Sequence, residues 1–382
     1  MHVHIYKNKD NYIKIHTNKY PTQIFCRYPF YSNDFNKINS YIQYSILKVK
    51  FPNDFNFFPE TYIIKDKNNI PLQFLNYTPT LDNLWIKKPK NQVAGKGILI
   101  YTNIKQIEDN IILSKYISNP FLVNGKKFDI RIYVLVTGVK PLKIYLGDEG
   151  MLNTCTKEYN LTLDNLKDRF VHITNHVFQS RYENYIPGID YNSEKGNDWT
   201  IKLLKKYFKK NNYNWDYVWS QIKDVSIKTV ISYQEKMVNQ INQYKLNDRL
   251  YSQLFGFDIL IDDNFKVWVL ETNSNPGLAS SIDRPRETII KTKASIDSFN
   301  IIGFFLGTHG ENGTYYDNIY HYDNDVEKNV DDALCEFGRP TGQYKRIFPL
   351  KDNIDKYKKF FLNKVEENEK LWDIIKNMKD DL

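Results

Sequence analysis

The stretch 255–273, FGFDILIDDNFKVWVLETN, constrains the fold more than any other part of this 382-residue chain. Two runs rich in β-branched and aromatic residues flank Asp262-Asp263-Asn264-Phe265, which predicts an antiparallel hairpin. Side chains alternate between the two faces of a strand. That alternation puts Val267, Val269, Glu271 and Asn273 on one face of the second strand, and Asp258, Leu260 and Asp262 on one face of the first. Pairing then sets Asp258 opposite the Glu271/Asn273 end. Two carboxylates and an amide offer the oxygen ligands that a hard cation such as Mg2+ takes, with phosphate oxygens completing the shell. The other reading is a hairpin end whose acids face water.

A second strand pair is expected from KFDIRIYVLV at 127–136 and LKIYL at 142–146, with the turn at Gly138-Val139-Lys140-Pro141. Lys127, Asp129 and Arg131 share one face, and Phe128, Ile130 and Ile132 share the other. Three charges on one face of an apolar strand are costly to bury without partners. An edge strand with a solvated face would explain them. Val134-Leu135-Val136, apolar on both faces, argues for a central strand that borders a wet cleft.

Upstream, Leu84-Trp85-Ile86-Lys87-Lys88-Pro89 and Gly97-Ile98-Leu99-Ile100-Tyr101 read as two strands around a loop, Asn91 to Lys96. Small residues in that loop, Gly95 and Gly97 among them, let backbone N–H groups approach a phosphate, and Lys88 adds positive charge. An ordinary glycine turn is the alternative. Neither GxxxxGK[ST] nor GxGxxG occurs, which disfavours P-loop and Rossmann sites. His172 and His176 stand four apart in HITNH, but no HExxH accompanies them, so a polar lining or a packed histidine is preferred to zinc. No GxSxG or Cys-His pairing supports covalent catalysis.

Residues 103–110 suit a short helix and 111–117 a strand. Apolar residues at helical spacing across 198–245 predict two helices. The last 30 residues read as one surface helix, and residues 1–50 have no assignable fold. The class is α+β, with antiparallel hairpins and intervening helices. No run of about 18 apolar residues predicts a membrane span, and the N-terminus lacks the apolar core of a secretory signal. Three distant cysteines fit a reducing, cytosolic compartment. The 42 Asn and 29 Tyr read as genome composition, so Asn and Lys carry little functional signal. Net charge is +8, and residues 195–249 hold much of it, 11 basic against 5 acidic, or +6. That segment is expected to steer an acidic polypeptide toward the cleft. No nucleic-acid motif accompanies the charge.

The order of these motifs resembles the tubulin tyrosine ligase-like family, whose fold is ATP-grasp. The matching segments are WIKKP at 85–89, GKGILI at 95–100, SKYISNPFLVNGKKFDIRIYVLVT at 114–137, PLKIYLGDEG at 141–150, HITN at 172–175, FGFDILID at 255–262, WVLETNSNPGL at 268–278 and CEFGRPTGQYKRIFP at 335–349. The resemblance implies a nucleotide held between two lobes: a central lobe over 51–120 and a C-terminal lobe over 121–350, followed by a terminal helix over 351–382. It implies that Lys88 and Lys127 contact ATP, with Gly95 and Gly97 in the loop beside it. Lys115, Tyr116 and Ile117 would form the adenine hinge, mainly through backbone groups. Asp258, Glu271 and Asn273 would ligate Mg2+. Arg131 would face the transferred phosphate and reacting carboxylate, with Asp129 near the incoming amine. His172, Thr174 and Asn175 would line the same cleft.

The implied reaction is ATP-dependent ligation of a free amino acid to a carboxylate of tubulin or another acidic tail, through an acyl-phosphate. The enzyme would be a cytoplasmic monomer, associated with microtubules or cilia, with neither nucleic acid nor membrane as partner. The NSNPGL region looks like the glutamate- and glycine-adding branches, and HITNH like the tyrosine branch; glutamate is favoured. Asn153 stands where the family usually carries an arginine after Glu-Gly, and Ser114 where it usually carries Gln. A neutral amide cannot form a charged fork with a carboxylate. A non-catalytic tubulin-binding relative is therefore the alternative from a different class.

Overall fold

The computed structural model describes residues 28, 37–90, 95–246, 248, 251–279, 281, 283–303 and 326–378. Most of the N-terminal region and loop residues 91–94 lie outside the described residues. Helix α1 (Lys37–Lys50) leads into strands β1 (Thr61–Ile64), β2 (Trp85–Pro89), β3 (Leu99–Tyr101) and β4 (Ile111–Lys115). These strands form one antiparallel sheet in the order β1-β4-β2-β3. Its outer face packs Ile64, Phe74, Trp85, Tyr101, Ile111 and Leu113 together. The helix expected over 103–110 is a single turn, Ile104–Gln106.

The second sheet is larger. It contains β5 (Leu122–Val123), β6 (Lys126–Val139), β7 (Leu142–Thr154), β8 (Asp198–Thr200), β9 (Gln253–Ile261), β10 (Val267–Asn273) and β11 (Tyr344–Phe348). Its main path runs β10-β9-β6-β7-β11, with β5 beside β6 and β8 beside β7. β6 is therefore central, paired with β7 on one side and β9 on the other. Gly150 permits the close approach of β7: an added Cβ would lie 2.4 Å from the Arg131 carbonyl oxygen.

Phe128, Ile130, Ile132, Val134 and Val136 point from β6 into the main core. Helices α2 (Ile201–Lys210) and α3 (Trp215–Gln243) cover that face, as the periodicity predicted. Thr200 and Asn214 cap them, accepting from the N–H groups of Leu203 and Tyr217. Tyr44 and Leu47 of α1 join the same core. Residues 37–50 thus belong to the body of the molecule.

On the opposite face, α4 (Pro285–Ile301) covers only one end, where Ile290, Ala294 and Ile301 meet Tyr133, Leu135, Tyr145 and Tyr344. The other end, bearing Lys127, Asp129 and Arg131, looks across a cleft toward the first sheet. Helix α5 (Val326–Phe337) packs against α6 (Glu366–Asn377).

Two expectations need correction. The terminal segment is not one surface helix: a short helix, Ile354–Lys358, and α6 both pack inward, with Tyr357, Phe360, Leu371, Trp372 and Ile375 in the main core. Aromatic rings at that density are stabilised by burial rather than by a solvated face. The basic helix α2 covers the far face of the sheet, with Lys205, Lys206, Lys209 and Lys210 exposed and none of them lining the cleft. Its charge does not border the site. Among the described residues, no helix is long and apolar enough to cross a membrane.

Candidate functional site

The cleft between the two sheets has a volume of about 830 Å³, including its open mouth. The smaller sheet contributes Ile86 and Lys88 from β2, and Lys115, Tyr116 and Ile117 at the end of β4. The larger sheet contributes Lys127, Asp129 and Arg131 from β6, Asn153 from β7, and Asp258, Leu260 and Glu271 from β9 and β10. His172, Thr174 and Asn175 close one side.

Alternation along β6 explains the first triplet, but the β10 face differs from the expectation. A bulge at Leu270 breaks the register between Val269 and Glu271. Val267 and Val269 therefore enter the main core while Glu271 reaches the cleft, so the four do not share a face. Asp258 pairs directly with Glu271 in the β9–β10 register. Asn273 donates its amide N–H to Asp258 Oδ2 at 3.2 Å.

Arg131 binds Asp258 through both arms: Nε to Oδ1 at 2.6 Å and Nη2 to Oδ2 at 3.0 Å. Burial alone would lower the arginine's pKa, but the Asp258 charge and hydrogen bonds outweigh it and hold the pKa above the ordinary value. The guanidinium has room because residue 256 is glycine, where an added Cβ would lie 2.9 Å from Arg131 Cδ. Asp129 accepts from Asn153 Nδ2 at 2.8 Å and from the Thr174 hydroxyl. Burial, then the neighbouring Asp258 charge, raise its pKa to about 6.

Lys127 Nζ donates to the Tyr116 hydroxyl and the His172 carbonyl, both at 3.0 Å. Burial lowers its pKa to about 8. Lys88 Nζ donates to the Leu270 carbonyl at 3.1 Å, and burial lowers its pKa as well. Neither lysine forms an ion pair with a described carboxylate. Two cations held only by neutral oxygens fit a phosphate group.

His172 is packed rather than presented to a metal. Its Nδ1 lies 3.0 Å from the Tyr116 hydroxyl and its Nε2 lies 3.1 Å from the Asn165 carbonyl. Burial, then the Lys127 charge, lower its pKa to about 4, which keeps it neutral. His176 turns toward Tyr185 instead. No group of three or more His, Cys, Asp or Glu converges among the described residues. A cation here would meet two carboxylates and an amide, a donor set that suits Mg2+ once phosphate oxygens complete it.

Gly95 and Gly97 both have left-handed backbone, with φ of +70° and +68°. An added Cβ at Gly97 would lie 2.7 Å from Pro89 Cγ, and one at Gly95 would lie 3.0 Å from Asn175 Cβ. Arg169 Nη2 holds the Gly95 carbonyl at 2.5 Å. The loop therefore rests on the HITN segment at the cleft's edge. The Lys115 side chain turns away, to Asn83 Oδ1 at 2.8 Å, so only its backbone borders the cleft.

The sequence reading missed Lys37. Its Nζ lies 3.4 Å from Glu271 Oε1, and it borders a recess that continues from the cleft beside Lys88. In so lysine-rich a chain, one lysine opening a helix gives no local signal; only the folded position beside Glu271 marks it.

A profile of the tubulin-tyrosine ligase family matches residues 14–302. The tubulin monoglutamylase TTLL4 of Mus musculus is 32% identical over 255 residues, covering 66% of this chain and 21% of that protein. The tubulin polyglutamylase TTLL5 of Homo sapiens is 33% identical, over 65% of this chain and 19% of its own length. The tubulin polyglutamylase ttll6 of Danio rerio is 29% identical over 81% of this chain and 42% of its own. The aligned part thus spans about a fifth of the first two relatives and under half of the third. With more than half of its residues inside the family profile, the chain belongs to the tubulin-tyrosine ligase family.

Proposed function

We propose that the chain is an ATP-dependent ligase, with an ATP-grasp fold, that joins glutamate to a carboxylate of tubulin or another acidic protein tail. The observation that carries this reading is the meeting of Lys88, Lys127 and Arg131 with Asp258, Glu271 and Asn273 around one cleft between two antiparallel sheets. The relatives' names, monoglutamylase and polyglutamylase, support glutamate over tyrosine or glycine.

Each residue has a separate task. Lys88 and Lys127 exchange neutral partners for phosphate oxygens, a stronger charge-assisted contact. The N–H groups of Lys115 and Tyr116 are already bound to the Glu60 and Leu84 carbonyls, so of the three hinge residues only Ile117 has an N–H left for the adenine edge, with the hinge carbonyls as acceptors. Asp258, Glu271 and Asn273 would hold Mg2+, which supplies positive charge to the phosphates when bound. Arg131 faces the oxygens on which negative charge accumulates, in the phosphoryl step and again in the tetrahedral step. Asp129, whose pKa of about 6 is far above that of an ordinary aspartate, is placed to take a proton from the incoming ammonium group. An acyl-phosphate on the acceptor carboxylate is the activated species this arrangement suits.

The test is incorporation of radiolabelled glutamate, glycine or tyrosine into purified tubulin with ATP and Mg2+. Glutamate should label tubulin, and Glu271→Gln should abolish labelling. No label from any of the three would overturn the reading for tubulin.

A further inference from the structure

Lys127, Tyr116 and His172 are all buried, and their polar atoms form one chain whose direction can be read from its far end. His172 Nε2 faces two oxygens of Asn165, the carbonyl at 3.1 Å and Oδ1 at 3.3 Å. The Asn165 amide N–H goes to the Asn160 carbonyl, so Oδ1 is the side-chain atom turned to the ring. Two acceptors require a donor, which assigns the ring proton to Nε2. Burial, then the Lys127 charge, keep the imidazole neutral, so Nδ1 is an acceptor. The Tyr116 hydroxyl, 3.0 Å from Nδ1, therefore donates to it. That hydroxyl's oxygen in turn accepts from Lys127 Nζ at 3.0 Å. Every donor points the same way, from Lys127 to Tyr116 to His172 to Asn165.

His172 thus holds Lys127 twice, through the ring by way of Tyr116 and directly through its carbonyl, which takes a second ammonium N–H at 3.0 Å. The Tyr116 ring also lies 4.2 Å from the ammonium, measured to its centre. A lysine ammonium has three N–H groups, so one is left, and Lys127 borders the cleft. Tyr116 belongs to both ends of that cleft. Its backbone lies in the segment beside adenine, anchored on the Leu84 carbonyl, while its hydroxyl holds a lysine that meets phosphate. A free lysine side chain samples many rotamers, and fixing it beforehand removes that cost from binding.

We propose that Tyr116 and His172 are positioning residues that act through Lys127: the chain anchored on Asn165 fixes the ammonium before ATP arrives and stabilises its charge for the phosphates. The assignment rests on the ATP-dependent ligase reading. Other groups act on the same lysine. Burial opposes its charge most, Cys155 and Asp129 favour it, and Lys88 across the cleft opposes it. Asp168 acts on His172. Tyr159 packs edge-on against His172, and its hydroxyl donates to the Ser118 carbonyl at 2.6 Å, so its proton is committed outside the chain. Substitutions at Tyr116 and His172 leave all of these groups in place.

Tyr116→Phe is the cleanest variant, because it keeps the ring beside Lys127 and deletes only the hydroxyl that links it to His172. ATP binding is measured by calorimetric titration from about pH 7 to about 9.5, a readout that needs no turnover. Tyr116→Phe should weaken ATP binding about tenfold near pH 7.5. With one acceptor gone the ammonium is less favoured, so the alkaline fall in affinity should move to lower pH by about one unit. His172→Leu should shift both in the same direction. His172→Asn keeps an acceptor near the Nδ1 position and should restore most of the affinity and the wild-type pH dependence. Unchanged binding in Tyr116→Phe overturns the proposal. So does a loss that is equal at every pH, which would mark a displaced hinge, or equal losses in His172→Leu and His172→Asn. A wild type that binds ATP but transfers no amino acid defeats the ligase reading and leaves this result standing; one that binds no ATP overturns both.

Discussion

The Asn153 amide donates to Asp129 Oδ1 at 2.8 Å, so an uncharged group holds the buried carboxylate that lines the cleft. An arginine at 153 would pull the Asp129 pKa down strongly, whereas an amide favours the ionised form only weakly. With Asn153 and Thr174 as its donors, Asp129 stays near 6. That suits a group that must accept a proton near neutral pH. Asn153→Arg should therefore move the acid limb of the kcat/KM profile to lower pH and slow the reaction near pH 7. A pH–rate series on the two proteins checks this, and coincident limbs would count against Asp129 as the titrating group.

Asp129 should also cost stability. A carboxyl whose folded pKa lies near 6, against 3.8 for the free group, favours the folded state only while protonated, and this contribution disappears as pH rises through 6. At pH 7 the ionised form is disfavoured by about 2–3 kcal/mol. Asp129→Asn should raise Tm at pH 7, with the gain shrinking toward pH 4, and should abolish ligation. Thermal melts at the two pH values separate this from a packing effect, which would not depend on pH.

Much of this architecture was legible because period-2 patterning is local. KFDIR alone shows that three charges share a face, and the FGFD–LETN hairpin shows that two acids can meet. The bulge at Leu270 was not legible, since nothing in WVLETN distinguishes a regular strand from one with an extra residue. The long-range partners were equally hidden. Lys37 meets Glu271 across more than two hundred residues, and Trp372 finds the main core only when the chain closes on itself. The charge count located the +6 segment but could not say which face of the sheet it would cover.

The last point gives a test of its own. Because α2 lies on the far face from the cleft, reversing Lys205, Lys206, Lys209 and Lys210 together should leave the KM for tubulin within about twofold at moderate salt, where screening over about 8–10 Å isolates the two faces. A marked rise in KM would show that the acidic partner wraps around to the helical layer.

Lys37 should matter to nucleotide binding. Its ammonium sits beside Glu271 and lines the recess that Lys88 shares, so it can reach phosphate when the cleft fills. Loss of one partly buried charge-assisted contact is worth roughly 1.5–3 kcal/mol. Lys37→Ala should accordingly raise the KM for ATP by about tenfold or more and leave the KM for glutamate nearly unchanged. Equal effects on both constants would instead indicate a displaced α1.

Lys127 should supply the alkaline limb of the pH–rate profile. Burial lowers its pKa to about 8 from an ordinary 10.5, so the free enzyme loses this charge as pH rises through 8. Only the charged form attracts phosphate, and binding should therefore weaken over that window. Bound phosphate favours the ammonium and raises its pKa, so the limb should be clear in kcat/KM for ATP and displaced upward in kcat. Lys127→Arg keeps the charge at every accessible pH, because guanidinium does not titrate in this range. The variant will lose some activity, since an arginine cannot donate to Tyr116 and the His172 carbonyl with the same geometry. Its kcat/KM profile should nonetheless be flat between pH 7.5 and roughly 9.5, where the wild type falls about tenfold per unit once well past its pKa. If the limb persists in Lys127→Arg, another group titrates there; Lys88, which burial also shifts downward, is the next to test.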